Sequence, residues 1–402
     1  MQGENLTFEE ARSGMCFPLA ATNPYFLDLL WDASHATDYA EVKSTARSNG
    51  VAMLVAMACK EFSHGLTSEE IAGVVAATFM DIMFRLEIPR VVETCGMGAD
   101  RGFKEDGVTK KSINVSTLSA IVLSALGLPT IKHGSYAGTS VAGSTDAIER
   151  FGVNTSMRSV AEIMQIWKSC NFCYLDAHLC KTIHDLSHRL EFETINHLVG
   201  PMTLPVSMET EINKLMGVNH NVHPAVIAQA YTLLHQCGVQ RMGGVVIVGG
   251  LAEDGMGSDP TDPVAFKKHC ILDEVSPYAS VVSIAYQDRF LGSFMVRPED
   301  FGISIDPEAI QVANESEAIH RANVAALQDN DHTLADYLAM NAALGLFAER
   351  HLSNNNAVEG DQLNSSLLRE CYGECREIIA SELALKKLVQ YIETSGGDPS
   401  LL

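Results

Sequence analysis

From Val91 onward the sequence repeats one rhythm: a short apolar run, a glycine, a helix-patterned stretch, and then another apolar run. Few architectures accept it, because a strand, a helix and a second strand in succession close most readily as a parallel pair with a crossover. Val91-Val92 lead into the glycine-rich loop Thr94-Cys95-Gly96-Met97-Gly98. A helix is predicted over about Thr117 to Leu126, closed at Gly127, and Pro129 to Lys132 read as the next strand. A helix ending near Phe151-Gly152, another around Val160 to Trp167 and a strand at Phe172 to Leu175 continue the pattern. A helix over Pro224 to Gln236 then precedes the strongest strand signal in the chain, Val245-Val246-Ile247-Val248. The predicted fold class is therefore α/β, a mostly parallel central sheet flanked by helices. Ala279 to Tyr286 and Ser293 to Val296 read as strands with no helix between them, so antiparallel pairing is expected at one edge. Helices resume over His332 to Glu349 and about Leu367 to Glu393, and Ser353 to Gln362 reads as a polar loop.

Before this region, residues up to about Leu86 read as helices. Thr67-Ser68-Glu69-Glu70 has the form of a capping box, and Ile71, Val74, Val75, Phe79 and Ile82 follow at helical spacing until Pro89. The preceding helix, about Val51 to Phe62, ends at Gly65. Two domains are expected: a small helical one over residues 1–89, and an α/β domain over 90–402. Part of about 185–215 is expected to pack on the helical one.

Charge narrows the partners. Among 402 residues, 28 Lys and Arg face 50 Asp and Glu, a net charge of −22, which repels nucleic acid and anionic lipid. Val51 to Cys59 is far shorter than the ~18 residues a membrane helix needs. The acidic opening Met1-Gln2-Gly3-Glu4-Asn5 lacks the basic start of a secretory signal. A cytoplasmic protein is expected, with its ten cysteines reduced.

Chemistry concentrates at the ends of the predicted strands, where parallel sheets bind ligands. Small residues at Thr94 to Gly98 permit close backbone approach, and successive N–H groups form an anion nest. Asn114, Ser116 and Thr117 open the next helix, where they read equally as ordinary N-terminal caps. Lys132-His133-Gly134 ends a strand and is followed by Gly138-Thr139-Ser140 and Gly143-Ser144. Asp273-Glu274 offers adjacent carboxylates of the kind a hard cation prefers. Cys170, Cys173, His178, Cys180, His184 and His188 fall within nineteen positions and suggest a zinc set. Against that, Cys173 lies in a predicted strand, whose alternate side chains point apart. Cys371 and Cys375 read as core or surface thiols.

The order of these segments is more specific than any one of them. Asn114-Val115-Ser116-Thr117, Lys132-His133-Gly134 through Gly143-Ser144-Thr145-Asp146, and Gly200-Pro201-Met202-Thr203-Leu204-Pro205 resemble the anthranilate phosphoribosyltransferase family. So do His223-Pro224, Leu272-Asp273-Glu274, Pro298-Glu299-Asp300-Phe301-Gly302 and Asn341-Ala342-Ala343. Thr94 to Gly98 is as similar to the related pyrimidine nucleoside phosphorylases. The resemblance implies a helical domain beside an α/β domain with the site between them, and a homodimer made through the apolar face around Ile71 to Ile82. It implies transfer of a pentosyl unit from 5-phosphoribosyl diphosphate to an aromatic acceptor, with Mg²⁺ assisting pyrophosphate departure. Donor contacts would come from Thr94, Gly96, Gly98, Asn114, Ser116, Thr117, Lys132, Gly134, Thr139 and Ser140. Acceptor contacts would come from His133, His178, His184 and Arg189, and Mg²⁺ would be held by Asp273, Glu274 and Ser116. A nucleoside phosphorylase and a non-catalytic ligand-binding descendant are the alternatives.

Departures from the family fall on the donor side as well as the acceptor side, and together point to a remodelled donor site and an acceptor other than anthranilate. Glu93 brings a carboxylate to the family's Gly-Thr-Gly-Gly-Asp loop. Ser135-Tyr136 replaces Asn-Arg, and Val141 replaces a lysine. Read back from Gly200-Pro201, the arginine position holds Ser187 rather than Arg189. Extra residues around 101–112, with Arg101, Lys104, Lys110 and Lys111, either replace the lost cations or form a solvated flap. A second insertion covers about 252–268.

Overall fold

In the computed structural model, residues 4–82, 84–105, 107–136, 143–156, 159–177 and 194–402 are described. The chain begins with α1 (Phe8–Gly14), α2 (Cys16–Thr22), α3 (Pro24–Ser34), α4 (Tyr39–Ser63) and α5 (Ser68–Phe79). The capping box forms as the sequence predicts: Thr67 accepts from the Glu70 backbone, and Glu70 accepts from the Thr67 N–H at 2.9 Å. Glu70 also takes the Leu6 N–H at 2.9 Å and pairs with Lys60, tying the first residues and α4 to the start of α5. α4 begins twelve residues before its expected start, at Tyr39, because Asp38 caps it. α5 is buried on all sides, and Gly73 leaves the room that lets α1 cross it.

That burial corrects one expectation. Ile71, Val74, Val75 and Phe79 are at most 1% exposed, so the apolar face expected to join two subunits is covered by this chain's own helices.

The sheet follows: β1 (Arg90–Gly96), a hairpin of β2 (Phe103–Glu105) and β3 (Val108–Lys111), α6 (Val115–Ala125), β4 (Thr130–Gly134), α7 (Ser144–Arg150), α8 (Val160–Cys170) and β5 (Phe172–Asp176). Next come α9 (Asn196–Met202), β6 (Glu211–Gly217), α10 (Pro224–Gln236), β7 (Arg241–Leu251), α11 (Pro263–His269), β8 (Cys270–Leu272), β9 (Ala279–Tyr286) and β10 (Arg289–Val296). The chain closes with β11 (Val312–Ala313), α12 (Ser316–Leu327), α13 (His332–Arg350), the short pair β12 (Val358–Glu359) and β13 (Gln362–Leu363), α14 (Ser365–Ala380) and α15 (Leu383–Thr394). The expected polar loop at 353–362 thus holds most of a small hairpin. The expected single C-terminal helix is two helices, broken where Glu382 adopts φ +59°.

Strand order is β10-β9-β7-β6-β1-β4-β5, with β8 on β7. The strands from β7 to β5 are mutually parallel, and β9 and β10 add the antiparallel edge. α6 and α13 cover one face, with α14 and α15 behind them; α9 and α10 cover the other, with α5 behind them. α9 therefore returns from the sheet to the helical region, and Leu86 bonds Pro205 and Ser207 beside it.

The two insertions are knitted together. Arg101 donates to the carbonyls of Lys268 and Cys270 at 2.9 and 3.2 Å, and the Gly102 N–H bonds Ile271. β11 pairs with β3, and Lys267 on α11 donates to the Phe62 carbonyl of α4 at 3.0 Å. Phe266 is buried between the His223 ring and the space left by Gly249.

β6 lies at the centre of the sheet although the sequence gives it no strand signal. Two polar residues interrupt its apolar pattern, and each finds a hydrogen-bond partner inside. Asn213 accepts the Gly244 N–H at 2.7 Å, beside a shift in register between β6 and β7. Lys214, 1% exposed, donates to Glu93 at 2.5 Å and to the Pro201 carbonyl at 2.7 Å. This corrects the placement of Glu93: it does not enter the loop but sits within β1, opposite Lys214, with its charge neutralised. Burial alone would pull the Lys214 ammonium down; Glu93 beside it holds it above the ordinary value.

Breaking a buried pair strands a charge, at a cost of about 3–5 kcal/mol, whereas replacing both members by apolar groups is often close to neutral. Lys214→Met is expected to lower stability by about that amount in urea unfolding. The double variant Glu93→Leu/Lys214→Met should be more stable than Lys214→Met. A double variant no better than the single would refute this account of the pair.

Candidate active site

The carboxyl ends of β1 and β6 carry glycines for a steric reason. A Cβ on Gly217 would lie 1.5 Å from the Asp273 carbonyl oxygen, and one on Gly96 would lie 2.5 Å from Asp273 Oδ2. The turn Asp273-Glu274 therefore rests directly on the strand ends. Gly98 donates its N–H to Asp273 Oδ2 at 2.8 Å, and Asn219 Nδ2 donates to the Gly98 carbonyl at 2.9 Å. Gly98 and Ala99 both take positive φ, +70° and +52°, which folds the loop over the turn. Of the N–H groups in the loop expected to form an anion nest, that of Gly98 is engaged by Asp273 and that of Met97 by the Gly217 carbonyl at 3.0 Å.

Glu274 is held differently. Ser112, at the end of the hairpin, and Tyr337, on α13, both donate to its Oε1, the latter at 3.0 Å. Asn341, one turn further along α13, accepts the Val275 N–H at 2.9 Å and donates to the Tyr337 carbonyl at 3.0 Å. Asp273 and Glu274 are both half-buried. Burial, and then the charge of Asp100, push Asp273 up to about 6; burial and Asp273 push Glu274 well above the usual carboxylate range. Negative charge is in local excess at this turn. Asp100 itself pairs with Lys111 at 2.5 Å.

Several anticipated donor-side residues gather here. The Thr94 hydroxyl donates to the Ser116 carbonyl at 2.6 Å, fastening β1 to the first turn of α6. Asn114 and Asn323 of α12 exchange two hydrogen bonds of 2.8 Å. The Thr117 hydroxyl is buried with no hydrogen-bond partner among the described residues. Lys132, in register with Thr94, is 1% exposed and donates to the His133 carbonyl at 3.0 Å. Burial pulls its ammonium down to about 8, so it remains largely cationic at neutral pH. His133 is buried with Nδ1 3.9 Å from Glu93 Oε1. Gly134 faces Ser144 and the Tyr174 hydroxyl, and a Cβ there would meet both. Thr139, Ser140, Val141, His178, Cys180, His184, Ser187, His188 and Arg189 lie outside the described residues, as do the two gaps that flank this end of β4 and β5.

Of the inserted cations, Arg101 and Lys111 are engaged by backbone carbonyls and Asp100 and so form part of the scaffold. Tyr136, where the family carries arginine, donates its hydroxyl to Glu149 at 2.8 Å. Sequence reasoning missed Ser112, Lys214, Asn219 and Tyr337. The only signal available for Tyr337 was its place four residues before Asn341 on one face of an otherwise apolar helix.

The donor set suits Mg²⁺. Two adjacent carboxylates each have one oxygen tied to the protein and a second with no donor among the described residues. Mg²⁺ needs one or two carboxylates when waters and phosphate oxygens complete its shell. Among the described residues no cluster of three or more His, Cys, Asp or Glu is placed to hold a metal. Cys170 and Cys173 are buried. No described helix is long and apolar enough to cross a membrane.

Residues 89–256 match the family described as glycosyl transferase family, a/b domain. An anthranilate phosphoribosyltransferase of Listeria monocytogenes is 28% identical over 356 residues, 86% of this chain and 88% of that protein. One of Saccharolobus islandicus is 28% identical over 351 residues, 86% of this chain and 89% of that protein. Among solved structures, the anthranilate phosphoribosyltransferase from Thermus thermophilus superposes with a TM-score of 0.69 at 22% identity, covering 98% of this chain and 97% of that one. That from Saccharomyces cerevisiae, in complex with PRPP and Mg, gives 0.67 at 20% identity, covering 97% and 94%. The expected α/β class with its helical N-terminal region is the fold these structures share with the chain.

Burial of Lys132 has a measurable consequence. Its folded pKa lies below its unfolded one, so between about 8 and 10.5 the unfolded chain holds more protons and stability rises with pH. Urea unfolding of wild type and Lys132→Met at pH 7.5, 8.5 and 9.5 should show wild type gaining relative to the variant. A difference that stays flat across the series would count against the buried cation.

Proposed function

Because the chain belongs to the anthranilate phosphoribosyltransferase family of glycosyl transferases, a family of pentosyltransferase enzymes, we propose that it transfers a phosphoribosyl-type group from 5-phosphoribosyl diphosphate to an aromatic acceptor other than anthranilate. The observation that carries the reading is the Asp273-Glu274 turn seated on Gly96 and Gly217 at the carboxyl edge of the sheet. The yeast neighbour in complex with PRPP and Mg adds support for the donor and the cation.

In this reading the free oxygens of Asp273 and Glu274 hold Mg²⁺, with Ser116 as the third contact. Bound there, the cation would neutralise charge on the departing diphosphate. The chain's own residues do the rest. Gly98 has open space where a side chain would stand, so a polyanion can approach the main chain there, with the Gly98 N–H shared with or released from Asp273. Lys132 contributes positive potential from within β4. The Thr94–Ser116 bond fixes the start of α6 against β1, so the hydroxyls of its first turn have a defined position.

The acceptor reading rests on the opposite pole. Anthranilate needs a cation for its carboxylate. The family arginine that would meet it falls on Arg189 in one register and on Ser187 in the other, and an acceptor other than anthranilate is the reading that Ser187 favours. The homodimer is retained in this proposal with a different contact, since Tyr25, Leu29 and Phe62 on α3 and α4 are 58%, 49% and 51% exposed.

Purified protein given 5-phosphoribosyl diphosphate, Mg²⁺ and a panel of aromatic amines should release pyrophosphate with at least one amine. A chelator should abolish release, and Asp273→Asn should lower it by at least about 100-fold, the loss of ~3 kcal/mol of transition-state stabilisation. Phosphate-dependent cleavage of a nucleoside that survives the chelator would instead favour a phosphorylase, the reading suggested by Thr94 to Gly98. No pyrophosphate with any amine, together with no donor binding by calorimetry, would defeat the proposal.

A further inference from the structure

We infer that Tyr337 and Ser112 are positioning residues that present one oxygen of Glu274 to a divalent cation, an assignment that rests on the transferase reading above. A carboxylate has two oxygens and can rotate between them; a metal site needs one held still. Here the Ser112 and Tyr337 hydroxyls converge on the same oxygen, Oε1, and Oε2 receives no donor among the described residues. Asp273 repeats the arrangement with a different donor, the Gly98 N–H on Oδ2. Each acid is thus anchored through one oxygen and available through the other, and the two available oxygens belong to consecutive residues.

The anchoring is rigid because of where the donors come from. Tyr337 is fully buried on α13, and Asn341 lies four residues on, so both project from one face of that helix. That face holds the Glu274 side chain through Tyr337 and the Val275 backbone through Asn341. Ser112 approaches from the other side, at the foot of the inserted hairpin, and is itself buried. Neither residue is an acid or a metal ligand. Their role is to fix the ligand, and groups that do so typically change metal affinity 10- to 100-fold when removed.

The test is direct binding of Mn²⁺, as a spectroscopic substitute for Mg²⁺, to the full-length protein, followed by electron paramagnetic resonance. Wild type should bind with a defined stoichiometry. Tyr337→Phe and Ser112→Ala should reach the same stoichiometry only at about 10- to 100-fold higher cation concentration. Ser112→Thr, which keeps the hydroxyl, should bind like wild type, and thermal unfolding should report all three variants as folded. Tyr337→Phe with wild-type affinity, Ser112→Thr as weak as Ser112→Ala, or a fall in stoichiometry in place of a shift would each overturn the assignment. Wild-type protein that takes up no Mn²⁺ would defeat the cation-assisted reading itself, and this inference with it.

Discussion

Two missing side chains hold the candidate site together. With no Cβ at Gly217 or Gly96, the Asp273 backbone and carboxylate settle onto the ends of two central strands, closer than any other residue at those positions would allow. Everything nearby is arranged around that contact. The loop at Gly98 closes over Asp273, Asn219 fastens the loop, and α13 grips the following residues from the other side. The parallel sheet supplies the platform, since β1 and β6 are adjacent and end in register at Gly96 and Gly217.

The second constraint is electrostatic. A chain of net charge −22 gains nothing from its surface when it meets a polyphosphate. Positive potential for such a ligand has to be internal: Lys132 is a cation buried in the sheet, whereas the charge of Lys214 is matched by Glu93. Two of the inserted cations, Arg101 and Lys111, are used to hold the insertions in place. Their structural effect is a brace along one rim, from the hairpin through α11 to α4.

Much of this is legible in the sequence, for reasons that also explain the gaps. The strand–helix alternation locates β1, β4, β5, β7 and β9, and it places the helix over Pro224 to Gln236 to the residue, because capping and periodicity are local signals. β6 is invisible because Asn213 and Lys214 break its apolar run; only partners on neighbouring strands make them acceptable. α5 reads as an interface because its apolar positions recur every three to four residues. Almost every residue of that helix is apolar or small, which is the mark of a helix buried on all sides. At the site, Asp273, Glu274 and the glycines stand out as residue types suited to a cation and a phosphate. Ser112 and Tyr337 do not, since nothing local marks a hydroxyl whose partner lies 162 or 63 positions away.

The ion pair between β1 and β6 also constrains how such a sequence can drift. Glu93 and Lys214 face each other across the middle of the sheet, shut off from water. A lineage that exchanges either one first passes through an intermediate with a solitary charge in its core. The two positions are therefore expected to behave as a single heritable character, gained or lost together, so that a sister protein lacking the acid should lack the base as well.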